Sequence, residues 1–203
     1  MSRIIAGSAG GRRLSTPAGD ATRPTTDRVR EAFFSSLGAW LGTAEQPADE
    51  QLAGVAFLDL FAGSGAVGLE AASRGADPVV CVESDARTCD LIRANATATG
   101  LAPRIVRDTA QRFLASGVGS GVTGFDVVWL DPPYGLADAD IDALLVAVDA
   151  GGWLRPDALI VVERSARSRA PRFPADADSW ERRYGETVLH HAQVDGGARE
   201  ESS

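Results

Sequence analysis

The residues Asp131, Pro132, Pro133 and Tyr134 follow one another directly and combine groups that can activate a planar amine. Such an amine is a poor nucleophile because its lone pair is delocalised, and two acceptors for its N–H bonds draw it toward a pyramidal geometry. The Asp131 carboxylate and the Pro132 carbonyl offer these acceptors, and the proline ring makes the direction of the carbonyl rigid. The Tyr134 ring can stack on a base, a contact worth about 1 to 3 kcal/mol. Alternatively, Asp131 caps a turn and the prolines end a strand.

A second group of residues has the pattern of a nucleotide site. Gly63, Gly65 and Gly68 have the spacing G-x-G-x-x-G directly after an apolar run that ends at Leu60, and Glu83 follows Gly63 by 20 residues. Glycines let the backbone approach a ligand closely, and an acidic side chain at that distance can accept hydrogen bonds from ribose hydroxyls. The glycine pattern taken alone also describes a nicotinamide or flavin site.

Strands and helices must position these residues. Helical spacing of apolar residues predicts helices over residues 26–41, 65–74, 85–99, 110–116 and 141–150, and short apolar runs predict strands over residues 55–60, 78–83, 104–107, 125–130 and 158–163. This alternation predicts a doubly wound α/β sheet. The run Phe125, Val127, Val128, Trp129 and Leu130 lacks polar alternation, which predicts a central strand buried on both faces. Ligands bind such sheets beyond the carboxyl ends of the strands, so Asp131 is expected to face the same crevice as Gly63 and Glu83.

The amino-terminal segment differs from the rest of the chain in charge. Residues 1–30 hold six arginines and two aspartates, a net charge of +4, whereas the whole chain carries −8, which leaves −12 for the remainder. Residues 4–16, with glycines at positions 10 and 11, predict a short β-hairpin. A basic arm on an acidic body suits a protein that meets a polyanion at one face. The alternative is a solvated terminal arm.

The length of 203 residues suits one main domain with short appendages. We expect a basic arm over residues 1–24, a catalytic domain over 25–191 that ends in an antiparallel hairpin, and a disordered tail over 192–203.

The sequence predicts a cytoplasmic location. It has no apolar run long enough to cross a membrane, and its first residues do not resemble an export signal. Cys81 and Cys89 have neither a redox nor a metal-binding spacing, and no metal is expected.

The sequence resembles the bacterial 16S rRNA guanine-N2 methyltransferases of the RsmD type from Arg3 to about Leu189. The segments that carry this resemblance are residues 3–7, 23–31, 59–68, 70–75 and 131–134. The Arg-Pro-Thr stretch at 23–25 is the most specific of them, whereas the glycine turn and the Asp-Pro-Pro-Tyr quartet are shared with many amino-group methyltransferases. The chain departs from the family at residues 8–10, where relatives often have an aromatic or basic residue, and over residues 169–178.

The resemblance implies a Rossmann-like class I methyltransferase fold, with a mostly parallel seven-stranded sheet flanked by helices and a small amino-terminal β-hairpin arm. It implies S-adenosylmethionine as the cofactor and, as the substrate, the exocyclic N2 of a guanine in 16S rRNA within a small-subunit particle. Carried over by position, the cofactor-binding residues are Asp59, Gly63, Ser64, Gly65, Glu83 and Ser84, with Asp108 or Thr109 near the adenine. The substrate-binding residues are Arg3, Arg12, Arg13, Arg23, Thr25 and Arg28.

Other functions compete with this interpretation. An adenine N6 in DNA and a glutamine N5 in protein also present planar amines, so either is the nearest alternative substrate. An NAD-dependent oxidoreductase would explain the glycine turn but leave the quartet at 131–134 without a role. A noncatalytic RNA-binding module would explain the arm but not a cofactor crevice.

Three further polar residues have alternative roles. Glu163, at the end of a predicted strand, either lines the substrate cleft or forms a structural ion pair. His190 and His191 fit a strand end better than an acid–base pair.

Overall fold

The computed structural model describes residues 2–17, 26–118 and 124–195. In chain order its helices and strands are β1 (Ser2–Arg3), β2 (Arg13–Leu14), α1 (Asp27–Trp40), β3 (Phe57–Asp59), α2 (Ala66–Ser73), β4 (Val79–Glu83), α3 (Ala86–Thr99), β5 (Arg104–Arg107), α4 (Ala110–Ala115), β6 (Phe125–Leu130), α5 (Asp138–Ala150), β7 (Leu154–Ser165), β8 (Asp178–Tyr184) and β9 (Thr187–Gln193). The chain divides into two compact units, Met1–Asp108 and Thr109–Ser203.

The first unit contains parallel strands in the order β5-β4-β3. Phe57 of β3 pairs with Val79 of β4, and Val80 of β4 pairs with Arg104 of β5. Every residue of β3 is buried, and β4 is buried except at its last residue, Glu83. Because both strands are covered on their two faces, their sequences lack the polar alternation of a half-exposed strand.

Capping residues explain where three of the helices begin. The side chains of Thr26, Asp85 and Thr109 accept hydrogen bonds from backbone N–H groups in the first turns of α1, α3 and α4. Helix α2 differs, because its N-cap is Gly65, which offers no capping side chain. In its first turn the Gly68 N–H donates instead to the Asp59 carboxylate of β3.

The amino-terminal hairpin packs against the first unit. Ile4, Ala9 and Leu14 are buried together with Ala66 and Leu69 of α2. Sequence reasoning left open a solvated arm, but a hairpin whose apolar side chains enter the core is part of the folded unit.

Buried polar groups hold the same hairpin to α2. The Glu70 carboxylate accepts hydrogen bonds from the backbone N–H groups of Ile5 and Ala6, at 2.7 and 3.0 Å. Arg30, which is fully buried, donates to the Ser2 hydroxyl and to the Arg3 carbonyl. These bonds offset part of the cost of burying the charged groups of Arg30 in α1 and Glu70 in α2, so the hairpin depends on both helices.

The second unit contains strands in the order β6-β7-β9-β8. β6 and β7 are parallel, whereas β9 runs antiparallel to both β7 and β8. β7 begins at Leu154, four residues before the predicted start at 158. The polar residues after Leu154 hid this start in the sequence, but Leu154 pairs with Phe125 of β6 and so belongs to the sheet. Helix α5 begins at Asp138, three residues before the predicted start at 141. Its first turn carries acidic residues, which suit a helix start but interrupt the apolar pattern.

The predicted class I α/β fold is confirmed. Seven strands form a mostly parallel sheet flanked by helices, and β1 and β2 form a separate two-stranded sheet. β9 extends to Gln193 and Val194 is buried, so the sheet continues past the expected domain end at residue 191. Residues 196–203 of the expected tail lie outside the described residues.

Candidate active site

The loop between β3 and α2 is shaped by two glycines. Gly63 and Gly65 have φ values of 53° and 79°, which glycine adopts without the steric cost that a Cβ imposes. A Cβ on Gly65 would lie 2.8 Å from the Ile92 side chain of α3, whereas one on Gly63 would meet no described atom within 4 Å. The backbone at Gly63 therefore borders open space, as a cradle for a ligand requires.

Glu83 connects this loop to the end of β4. Its Oε2 accepts a hydrogen bond from the Gly63 N–H at 3.0 Å, and its Oε1 accepts one from the Asp85 N–H at 2.9 Å. The spacing of 20 residues seen in the sequence thus corresponds to a direct contact. The carboxylate is only partly buried and Oε2 has a second lone pair, so it can accept a further hydrogen bond from a ligand.

Asp59 lies beneath the loop instead of at its surface. It is 1% exposed, and its Oδ2 accepts a hydrogen bond from the Gly68 N–H at 3.2 Å. Burial raises the pKa of Asp59 to about 7, although hydrogen bonds from the Gly68 and Phe61 backbones oppose the shift. A Cβ on Gly68 would lie 2.4 Å from the Cys81 sulfur, so the third glycine is required by close packing of α2 on the sheet.

Asn95 of α3 links the loop to the amino-terminal hairpin, and sequence reasoning missed it. Its side-chain amide donates to the carbonyls of Ser64 and Ser15, both at 2.9 Å, and its Oδ1 accepts from the Ser15 N–H at 2.9 Å. The residue is 2% exposed. The available signal was an asparagine three positions after the buried Ile92, on the face of α3 that enters the core.

The remaining predicted cofactor residues follow β4 and β5. Ser84 is exposed, and its hydroxyl donates to the Glu83 carboxylate at 3.4 Å. The backbone N–H of Asp108 donates to the Glu83 carbonyl at 3.1 Å, which places Asp108 beside the end of β4. The Thr109 hydroxyl accepts from the Arg112 N–H at 3.2 Å as the cap of α4.

The quartet Asp131 to Tyr134 directly follows β6 in the second unit. Pro132 is buried, Asp131 is partly buried, and Pro133 is exposed. Tyr134 is 67% exposed, so its ring is accessible to a stacking partner. A shallow cleft lies here, lined by Asp131, Pro132, Tyr134, Glu163, Arg164, Ser165 and Thr187.

The two histidines are strand residues, as predicted. His190 and His191 lie within β9, and the His191 ring stacks on the Trp180 ring with centroids 5.1 Å apart. Burial lowers the pKa of His191 to about 4. Neither histidine is among the residues that line the cleft.

The arginines that were predicted to dock the substrate are mostly exposed. Arg3, Arg12, Arg13 and Arg28 lie at the surface of the first unit, and Arg12 donates to the Ala98 carbonyl at 3.2 Å. Arg23 and Thr25 lie outside the described residues.

The described part of the chain has neither a membrane-spanning helix nor a candidate metal cluster. None of its helices has the length and apolar composition that a membrane crossing requires. Within residues 2–17, 26–118 and 124–195, no cluster of histidine, cysteine and acidic side chains could hold a metal ion.

Known proteins with similar sequences and structures define the class. The chain is 39% identical over 177 residues to Ribosomal RNA small subunit methyltransferase D of Escherichia coli K12, a match that covers 86% of this chain and 80% of the relative. It is 34% identical over 166 residues to the protein of the same name from Haemophilus influenzae, covering 79% and 77%. A solved structure, "Putative methyltransferase yhhF from Escherichia coli", superposes with a TM-score of 0.77 at 32% identity and covers 96% of this chain and 98% of its own. The fold is therefore that of class I methyltransferases.

Residues 2–193 match the sequence model of one family over nearly the whole chain. The chain belongs to the family described as Conserved hypothetical protein 95, which is the RsmD family that the sequence resembled.

Proposed function

We propose that this protein transfers a methyl group from S-adenosylmethionine to the exocyclic N2 of a guanine in 16S rRNA. The observation that carries the proposal is the quartet Asp131 to Tyr134, which follows β6 and borders a polar cleft in a chain with the class I methyltransferase fold. The names of the relatives support small-subunit rRNA as the substrate. Guanine N2 as the target rests on the resemblance of the sequence to the guanine-N2 methyltransferases of the RsmD type.

The glycine loop and its neighbours fit S-adenosylmethionine. The open space beside Gly63 suits the methionine end, together with the backbones of Ser64 and Gly65. Glu83, with an accessible carboxylate, accepts hydrogen bonds from the ribose hydroxyls, and Ser84 adjoins it. When bound, this cofactor supplies an electrophilic methyl group.

Two residues beyond β5 and one beneath the loop complete this proposed cofactor site. Asp108 is the better candidate to contact the adenine, because the Thr109 hydroxyl is used to cap α4. Asp59 acts through the loop, since its buried carboxylate holds the Gly68 N–H and has almost no accessible surface for a ligand.

The quartet prepares the guanine amine for attack. The Asp131 carboxylate and the Pro132 carbonyl accept the two N–H bonds, so the nitrogen lone pair is directed outward. The exposed Tyr134 ring stacks on the base, and Pro133 fixes the turn that presents it. As the nitrogen would bond to the methyl group and the methyl–sulfur bond would break with its electron pair left on sulfur, positive charge would develop on nitrogen. Asp131 would stabilise that charge and accept the released proton.

The exposed arginines of the hairpin and of α1 contact RNA phosphates. Arg3, Arg12, Arg13 and Arg28 are accessible, and arginine pairs well with phosphate oxygens. The substrate is a small-subunit particle, and the protein acts where such particles are assembled, in the cytoplasm.

Nucleoside mapping of rRNA from a strain that lacks the gene tests this proposal. We expect one N2-methylguanosine to disappear from 16S rRNA and to return when purified protein and S-adenosylmethionine are added to the mutant's small-subunit particles. An unchanged nucleoside map, together with loss of N6-methyladenine from DNA or of methylated glutamine from protein, would assign one of the alternative substrates.

A further inference from the structure

The cleft beside Asp131 contains a carboxylate that the proposed reaction does not use. Asp131 and Pro132 account for the two N–H bonds of an amine. Glu163 lines the same cleft and is only 9% exposed. A carboxylate in the lining of a ligand cleft can accept hydrogen bonds from donor groups of a bound substrate.

Strand pairing places Glu163 next to Asp131 along the sheet. Leu130 of β6 pairs with Val162 of β7 in parallel register, and Asp131 and Glu163 are the residues that follow them. The two carboxylates thus extend from equivalent positions on neighbouring strands.

Hydroxyl groups share the face of the sheet that carries Glu163. Ser165 is two residues further along β7, so its side chain lies on the same face as that of Glu163. Thr187 of β9 pairs directly with Ser165, and directly paired residues have their side chains on one face. Arg164, between them, forms an ion pair with Asp138 at 2.7 Å. This face of the cleft therefore carries a carboxylate followed by hydroxyl donors.

We propose that Glu163 accepts a hydrogen bond from N1–H of the target guanine and thereby selects guanine over other bases that carry an amine. This inference rests on the proposed function. In guanine the N1–H donor is adjacent to the N2 amine, and the O6 acceptor follows it, which matches a carboxylate beside Asp131 and then the hydroxyls of Ser165 and Thr187. In adenine the position next to the N6 amine is an acceptor, which a carboxylate repels.

The test combines a change in the protein with a change in the base. Small-subunit particles are reconstituted with 16S rRNA that carries either guanine or 2-aminopurine at the methylated site. The analogue keeps the amine but lacks N1–H and O6. The Glu163→Gln variant is compared with wild type in single-turnover transfer of labelled methyl. Glu186→Gln is the matched control, because Glu186 lies in the β8–β9 turn, has a side chain that is 55% exposed, and pairs with Arg167.

With guanine, Glu163→Gln is expected to reduce the transfer rate by about 10- to 100-fold, as loss of a hydrogen bond to a charged group implies. With 2-aminopurine, the same variant should react within about threefold of wild type, because the contact is already missing. The Glu186→Gln variant should match wild type on both bases. Thermal unfolding and calorimetry with S-adenosylmethionine are the measurements that check whether the Glu163→Gln variant is folded.

Equal losses on both bases would assign Glu163 a structural role and overturn the inference, as would a Glu163→Gln rate on guanine equal to that of wild type. The wild-type protein also tests the inference without any variant, since equal rates on guanine and 2-aminopurine would exclude recognition of N1–H. Failure of the proposed function would be seen separately, as absence of N2-methylguanosine from the product of the wild-type protein.

Discussion

The side-chain amide of Asn95 donates a hydrogen bond to the Ser64 carbonyl at 2.9 Å, and the same side chain makes two hydrogen bonds to the backbone of Ser15. One buried residue of α3 therefore joins the glycine loop to the segment that follows the amino-terminal hairpin. This arrangement couples the shape of the proposed cofactor site to the packing of the proposed RNA-docking element.

Replacement of Asn95 by alanine is expected to weaken both folding and cofactor binding. It removes three hydrogen bonds, two part-buried bonds to the Ser15 backbone and one buried bond to the Ser64 carbonyl, at a cost of about 2 to 4 kcal/mol in the free energy of unfolding. Chemical denaturation measures this loss, and calorimetry with S-adenosylmethionine should show a lower affinity. Thr97→Ala, at an exposed position of the same helix, is the control. Unchanged cofactor affinity in a destabilised Asn95→Ala variant would contradict the coupling.

Replacement of Asp131 by alanine should preserve the fold and the cofactor affinity but reduce methyl transfer by about two to four orders of magnitude. The loss combines a misdirected amine with an N–H bond that has no acceptor. Single-turnover transfer to small-subunit particles measures it, and Asp140→Ala, at an exposed position in the first turn of α5, is the control. A wild-type rate in Asp131→Ala would exclude the proposed role.

The Asp131→Asn variant separates orientation from charge. Its amide oxygen still accepts one hydrogen bond but carries no negative charge. A nearly wild-type rate would show that orientation dominates, whereas a rate as low as that of Asp131→Ala would show that charge or proton acceptance is essential.

Replacement of Arg12 and Arg13 together by glutamine should weaken binding to small-subunit particles without changing cofactor affinity. Both side chains are exposed, so the change leaves the buried Ile4 and Leu14 in place. If each arginine contacts a phosphate, the salt dependence of binding should decrease by about two counterions. Binding is measured over a series of salt concentrations, with Arg93→Gln of α3 as the control.

Deletion of the whole hairpin would not test RNA docking cleanly. It would remove Ile4, Ala9 and Leu14 from the core and leave the Glu70 carboxylate without its backbone donors. A salt dependence that is identical in wild type and in the double arginine variant would exclude these two residues as phosphate contacts.

Asp59 should make stability depend on pH in a direction opposite to that of most carboxylates. Its pKa is about 7 in the folded protein, against 3.8 for an ordinary aspartate, so between these values the folded state binds more protons than the unfolded state. The contribution of Asp59 to stability is therefore complete at about pH 4 and is lost as the pH rises toward 7.

The Asp59→Asn variant removes this titration. Relative to the variant, wild type should lose up to about 1.4 kcal/mol of unfolding free energy per pH unit in that window. Denaturation with urea at several pH values measures both proteins, and Asp90→Asn, at an exposed site, controls for loss of surface charge. A difference between wild type and Asp59→Asn that stays constant with pH would contradict the buried, protonated carboxyl.

The sequence by itself determined the order of strands and helices, the glycine loop and the quartet at 131–134. These features depend on local causes: apolar periodicity, capping residues, glycines in left-handed conformations and prolines that end a strand. The contact between Gly63 and Glu83 was also predictable, because a strand–helix–strand unit brings the ends of adjacent parallel strands together at a regular spacing. Even so, the start of β7 at Leu154 depended on its pairing with Phe125 and not on its own residues.

Only the tertiary structure decided which polar residues are buried and what they contact. Asn95 meets Ser15 across 80 positions of sequence, and Ile5 meets Glu70 across 65. Glu163 lines the cleft with Thr187 because β9 returns beside β7. The same residue types occur on solvated surfaces, and their local sequence does not distinguish the two environments. Burial and hydrogen bonding are properties of how distant segments pack, so the tertiary structure and not the local sequence assigns these roles.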